Sequence, residues 1–131
     1  MRMKKDFPRW HKKKAQIDEI EKRAFFHERE IWFCYLGANV GFEQDGSGKD
    51  FLRPVVIIRK FNQQVFWGIP LTHTKKKKPY YFAFKFIKSE TSVAVLSQLH
   101  LIDARRLSYK IGEMSLEDFS SIKAKIKALL P

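Results

Sequence analysis

The spacing of apolar residues changes from helical to strand-like along the chain. Between residues 8 and 25, Trp10, Ile17, Ile20 and Ala24 fall on one side of a helix, and Asp6 ahead of Phe7-Pro8 supplies a start signal. That stripe is narrow, so the helix is expected to precede the main domain, dock on it and cover a sheet face. From Glu30 the pattern is that of strands. Ile31 to Leu36 is a short aromatic-rich run ending at Gly37, and a loop follows through Gly41, Gly46 and Gly48. Pro54 to Ile58 is β-branched on both parities, as in a strand buried on both faces. Arg59 to Gln64 reads as a short connection to a strand over Val65 to Leu71, making a hairpin. Lys75 to Lys78 forms a polar loop, Tyr80 to Phe86 an aromatic strand, Ser92 to Ile102 one more, and Leu107 to Met114 a shorter one. Ser115 reads as a helix N-cap with an acidic partner three residues on. The helix it opens places Phe119, Ile122, Ile126 and Leu129/Leu130 on one face, with Lys123, Lys125 and Lys127 toward its C-terminal half. About six short strands with little helix between them predict an α+β chain, mainly β: a small antiparallel, barrel-like sheet capped by helices. Residues 1–28 are then a helical extension and 29–131 the domain.

Composition narrows the class. A length of 131 residues suits one domain, and 44% apolar with 15% aromatic residues is too hydrophobic for a disordered basic tail. The single cysteine, Cys34, excludes an internal disulfide framework and a Cys-based zinc site. No apolar run approaches the roughly 18–20 residues of a membrane span. Met1 to Lys14 is basic without an apolar core behind it, unlike a signal peptide, so a cytoplasmic protein is expected. The formal net charge is +12. Residues 1–30 hold ten Lys/Arg against six Asp/Glu, and residues 31–131 hold sixteen against eight, so the main body is basic in its own right. Such a surplus favours a polyanion: nucleic acid, an acidic protein or a membrane surface.

Few residues point to chemistry by type alone. A pair of histidines can act as acid and base near neutrality, and His73 and His100 lie at the ends of expected strands, but no spacing demands that they meet. The acidic residues are scattered, and no metal-ligating set stands out. Gly46-Ser47-Gly48-Lys49 lacks the earlier glycine and the following helix of a phosphate loop, and reads as a flexible loop.

Three segments taken together are more specific: Leu36 to Gln44 followed by Leu52 to Ile58; Trp67-Gly68-Ile69-Pro70-Leu71-Thr72; and Val95 to Leu107. In order and spacing they resemble the MazF/PemK family of toxin endoribonucleases, which has a G-x-E-Q loop, an R-P-V-hydrophobic strand, a strand ending in Thr or Ser, and a Q-hydrophobic-x-x-hydrophobic-D segment. Ile111 to Ser115 looks like the family's closing strand and helix start, so the resemblance covers roughly residues 29–130. It implies a CcdB/MazF-like fold, a small SH3-like antiparallel barrel with a C-terminal helix, to which this chain adds an N-terminal helix. It also implies a homodimer, a cognate acidic antitoxin, and metal-independent cleavage of single-stranded RNA at short motifs. The ribose 2′-OH would attack, leaving 2′,3′-cyclic phosphate and 5′-OH ends, with no cofactor. The family's catalytic arginine falls on Arg53 and its catalytic Thr/Ser on Thr72. Glu43 and Gln44 match the loop beside the site, and Gln98 a position near the RNA groove.

An arginine fork suits the charge that builds on the non-bridging oxygens during such an attack, whereas its pKa makes it a poor base. The base is left open, with His73 a candidate that the family pattern does not call for. Lys75, Lys76, Lys77 and Lys78, just after Thr72, are placed to grip the RNA backbone; Tyr80 and Tyr81 offer either stacking surfaces or core residues. Without the resemblance, Arg53 would read as a salt-bridged residue at a strand start and Thr72 as a strand end. Two departures stand out: the loop Asp45 to Leu52 is longer than in compact members, and His100 stands where many have arginine. The competing readings are a CcdB-like, non-enzymatic gyrase inhibitor and an RNA-binding domain without catalysis.

Overall fold

The computed structural model describes residues 25–36 and 52–131. The helix expected over 8–25 lies outside them but for Phe25, as do Glu43 and Gln44. The described residues form seven strands and one α-helix: β1 (Glu30–Tyr35), β2 (Leu52–Lys60), β3 (Val65–Thr72), β4 (Tyr81–Ile87), β5 (Glu90–Val95), β6 (His100–Asp103), β7 (Leu107–Glu113) and α1 (Leu116–Leu129).

β2 runs two residues further than expected, to Lys60, and the turn after it is tight because the Asn62 side-chain oxygen accepts from the amides of Gln64 (2.7 Å) and Val65 (3.0 Å). The larger difference concerns Ser92 to Ile102, expected as one strand. The chain instead leaves β5 at Val95, makes a 3-10 turn over Leu96–Gln98 and re-enters the sheet as β6. The cause lies in β3, which changes partner along its length. Leu71 and Thr72 pair with Ala94 and Val93, whereas Val65 to Gly68 pair with Asp103 to His100. The two registers are offset by three residues, and the turn takes these up across Ile69-Pro70, where proline has no N–H to give to a ladder.

Every pairing is antiparallel, in the order β4-β5-β3-β2-β1-β7 with β6 on β3. The two ends of this order approach each other: a Cβ on Gly112 of β7 would lie 2.6 Å from the Phe86 ring of β4. The sheet is therefore curled into a half-barrel, and glycine at 112 lets its edges meet. One face carries Ile31, Val56, Ile69, Leu71 and Phe84, packed against Met114 and against Phe119 and Ile122 of α1. The other carries Trp32, Cys34, Val55, Ile57 and Phe66, covered by Phe26, Ile102 and Leu107. The Ser115 hydroxyl accepts from the Asp118 amide at 3.0 Å and so caps α1 as its sequence indicates. The expected face of α1 is shorter than its pattern suggests. Phe119 and Ile122 are buried, but Leu129 and Leu130 are exposed, because the last turn runs past the sheet.

Candidate active site

The site forms where β2 begins and β3 ends. Side chains alternate across a strand, so Arg53 shares a face with Val55 and Ile57, while Thr72 shares one with Phe66, Gly68 and Pro70. Both residues therefore lie on the face opposite α1. Arg53 is only 7% exposed although charged, and its Nη2 donates to the Leu71 carbonyl at 3.2 Å. That bond ties the guanidinium to the residue before Thr72. Thr72 is half-buried and level with Val93 of β5.

Arg53 forms part of the wall of a cleft of about 500 Å³, together with Pro70, Gln98, His100, Asp103 and Arg106. Arg53 and Gln98, more than forty residues apart in sequence, thus share one cavity. Thr72 stands beside it through Leu71 rather than in its wall. Lys75, Lys76, Lys77 and Lys78 all lie exposed in the loop after β3 and outside the cleft wall. Tyr80 packs against the core on the α1 face, with Tyr81 edge-on to it at 5.2 Å, which answers the open choice for Tyr80 in favour of the core. The two histidines do not form a pair: His73 Nδ1 meets the Thr91 carbonyl at 3.2 Å, and His100 Nδ1 the Gln98 carbonyl at 2.8 Å.

Sequence alone does not single out Arg106. Its Nη1 donates to the Tyr35 carbonyl at 3.3 Å, bringing a second guanidinium to the cleft. The available signal is the pair Arg105-Arg106 after Asp103, which by itself indicates only a basic turn. The two arginines diverge: Arg105 clasps Asp103 (2.8 Å) and lowers its carboxyl pKa, with a smaller contribution from Arg106. Cys34, level with Arg53 on β1, is fully buried, and desolvation drives its thiol pKa up despite the opposing field of Arg106, so it is not a nucleophile. Among the described residues, no three His, Cys, Asp or Glu side chains are grouped to hold a metal ion. No helix among them is long and apolar enough to cross a membrane. The cleft thus presents two arginines and an amide in a partly apolar wall whose one carboxylate, Asp103, is paired with Arg105, an arrangement suited to binding and polarising an anion.

The profile of the PemK-like, MazF-like toxins of type II toxin-antitoxin systems matches residues 27–130. The chain belongs to that family. Comparison with curated proteins gave no match. Among solved structures, MazF from Deinococcus radiodurans has a TM-score of 0.63 at 15% identity, over 82% of this chain and 97% of its own. An endoribonuclease in complex with its cognate antitoxin, from a mycobacterial species, has 0.61 at 14%, over 82% and 98%. The Mycobacterium tuberculosis toxin MazF-mt6 has 0.58 at 17%, over 76% and 94%. The half-barrel with its C-terminal helix is the MazF fold.

Proposed function

We propose that this MazF-like toxin is a metal-independent endoribonuclease that cleaves single-stranded RNA in the cytoplasm as a homodimer and is held in check by an acidic antitoxin. The observation that carries this reading is Arg53: a nearly buried guanidinium oriented by the Leu71 carbonyl, next to Thr72 and in one cleft wall with Gln98. Family membership and the endoribonuclease–antitoxin complex among its structural relatives support the activity and the partner. The +12 charge complements both an RNA and an acidic protein.

In the proposed reaction a ribose 2′-oxygen attacks the adjacent phosphorus. A P–O2′ bond forms, the P–O5′ bond breaks, a base takes the 2′ proton, and O5′ leaves with a proton as a 5′-OH. Arg53 stabilises the charge that develops on the non-bridging oxygens. Thr72 donates a hydroxyl hydrogen bond to one of them or relays a proton, and Gln98 positions the strand. Glu43 and Gln44 flank the bound RNA, and Lys75, Lys76, Lys77 and Lys78 hold its backbone.

The test is cleavage of single-stranded RNA in EDTA by the wild type, Arg53→Ala and Arg53→Lys, each checked for folding by circular dichroism. A preorganised donor of this kind is worth about 3–4 kcal/mol, so folded Arg53→Ala should cleave about 10²–10³-fold more slowly. Arg53→Lys should recover little, because an ammonium lacks the fork. The products should end in cyclic phosphate. Absence of cleavage by the wild type, equal cleavage by the alanine variant, or an absolute need for magnesium would each refute the proposal.

A further inference from the structure

Cleavage by a ribose 2′-OH needs a group to take its proton, and the cleft narrows the choice. Among the described residues, the ionisable side chains of its wall are Arg53, His100, Asp103 and Arg106. The two arginines stay protonated and cannot accept. Asp103 is clasped by Arg105 at 2.8 Å, and that hydrogen bond holds its carboxyl below the usual carboxylate value, which weakens it as a base. His100 is left.

The backbone around His100 sets its ring for the task. His100 opens β6, level with Gly68 of β3, which bears no side chain to stand over it. It alternates with Leu101 and so shares the face of Ile102, Val55 and Arg53. The 3-10 turn over Leu96–Gln98 ends two residues earlier, and its last carbonyl meets His100 Nδ1 at 2.8 Å. A carbonyl oxygen only accepts, so Nδ1 carries the hydrogen, and in the neutral ring Nε2 keeps its lone pair. The residue is exposed, open to a ligand entering the cleft. His73 is tied in the same way to the Thr91 carbonyl, but it lies outside the cleft wall.

We propose that His100 is the general base of the cleavage, its Nε2 taking the 2′ proton as O2′ bonds to phosphorus. Arg53 meanwhile holds the charge on the non-bridging oxygens. The P–O5′ bond breaks with its electron pair on O5′, which takes a proton from water. The hydroxide so formed recovers the proton held by the imidazolium, and the neutral ring is restored. The charged groups that share the wall with the imidazole are Arg53 from β2, Asp103 at the end of β6 and Arg106 in the turn after it; β3 contributes Gly68 and Pro70, neither ionisable. The proposal rests on the ribonuclease reading and adds to it the group that moves the proton.

The test is single-turnover cleavage of a mixed-sequence single-stranded RNA in EDTA, followed from acid to alkaline pH. Wild type, Arg53→Ala, His100→Gln and His73→Gln are compared, each checked for folding by circular dichroism. Binding is measured separately with an oligonucleotide that spans the cut site and carries 2′-O-methyl riboses. Glutamine keeps a polar side chain without the base, so His100→Gln should bind this oligonucleotide as the wild type does. It should cleave about 10²–10⁴-fold more slowly and lose the fall in rate on acidification that protonation of an imidazole produces. Added imidazole should restore part of the rate to His100→Ala. Cleavage by His100→Gln at the wild-type rate, or with the wild-type acid limb, would overturn the proposal. So would a loss confined to binding, or one that falls on His73→Gln instead. Slow cleavage by Arg53→Ala beside undiminished cleavage by His100→Gln would remove this proposal alone, whereas a wild type that does not cleave would remove the ribonuclease reading with it.

Discussion

Replacing Gly68 with alanine tests how tightly β3 must sit between β2 and β6 for the cleft to exist. Gly68 is level with Ile57 on one side and with His100 on the other. A Cβ there would lie 2.7 Å from Val55 Cγ1, 2.9 Å from Ile102 Cδ1 and 2.9 Å from Phe66 Cε2. All three neighbours are essentially buried, so none can swing into solvent. Overpacking of this kind costs about 1–3 kcal/mol, and three simultaneous contacts place it toward the upper end. The lower chain entropy of alanine in the unfolded state offsets about 0.4–1 kcal/mol of that. The net loss is then about 1–2 kcal/mol, or roughly 4–8 °C in Tm for a domain of this size.

Gly112→Ala is the matched control. Its added methyl would meet a single ring, Phe86, at 2.6 Å, and that ring is half-exposed where the sheet edges meet and can turn aside. Its destabilisation should be the smaller of the two, because one half-exposed ring has to shift rather than three buried side chains. Thermal unfolding by circular dichroism compares the two. A Gly68→Ala protein as stable as the wild type, or less damaged than Gly112→Ala, would refute the argument that β3 is clamped at this point.

Two further outcomes follow from the charges. The Glu30 carboxyl is raised by burial, but hydrogen bonds from Trp32 and His27 and the charge of Lys110 outweigh this and leave its pKa below the usual carboxylate value. A depressed carboxylate contributes stability that is present above its unfolded pKa and lost as pH falls through its folded one. Glu30→Gln should therefore lower Tm at pH 7, by the equivalent of about 1–3 kcal/mol, and the gap to the wild type should close on acidification below about pH 4; a gap constant with pH would count against it. Under the proposed function, neutralising Lys75, Lys76, Lys77 and Lys78 should weaken RNA binding. Its salt slope should fall by about 0.7 for each phosphate no longer neutralised, and an unchanged slope would place the groove elsewhere.

Most of the sheet was legible because its strands are dense in β-branched and aromatic residues. Val55 to Ile58 is apolar on both parities and is buried on both faces of β2. The Ser115 cap was equally plain, since it depends on residues within one turn. What escaped sequence reading was non-local. Arg53 could be placed at the start of a strand from the Arg-Pro-Val pattern, but its burial could not, because it depends on neighbours distant in sequence such as the Leu71 carbonyl on another strand. Tyr80 and Tyr81 offer either stacking or core residues by sequence, and only the fold brings Tyr80 to the α1 face. The end of α1 shows the converse: Leu129 and Leu130 keep the apolar period after the surface they would cover has ended.

The break between β5 and β6 explains why a cleft lies beside Arg53 at all. Had residues 92–102 continued as one strand along β3, their ladder would have closed over the β3 terminus. The three-residue offset instead lifts Leu96–Gln98 out of the ladder as a turn, held by a bond from the Leu96 amide to the Tyr80 carbonyl at 2.8 Å. Gln98 and His100 are thereby carried to the wall where Arg53 and Pro70 already sit. Pro70 has no N–H to leave unpaired where the two halves of the ladder part, so the opening leaves no amide donor stranded at that position. Of the residues that flank the break, Pro70 on β3 and Ser97-Gln98 in the turn therefore line the cavity itself, while Ile69 and Leu96 anchor them from the core on the α1 face.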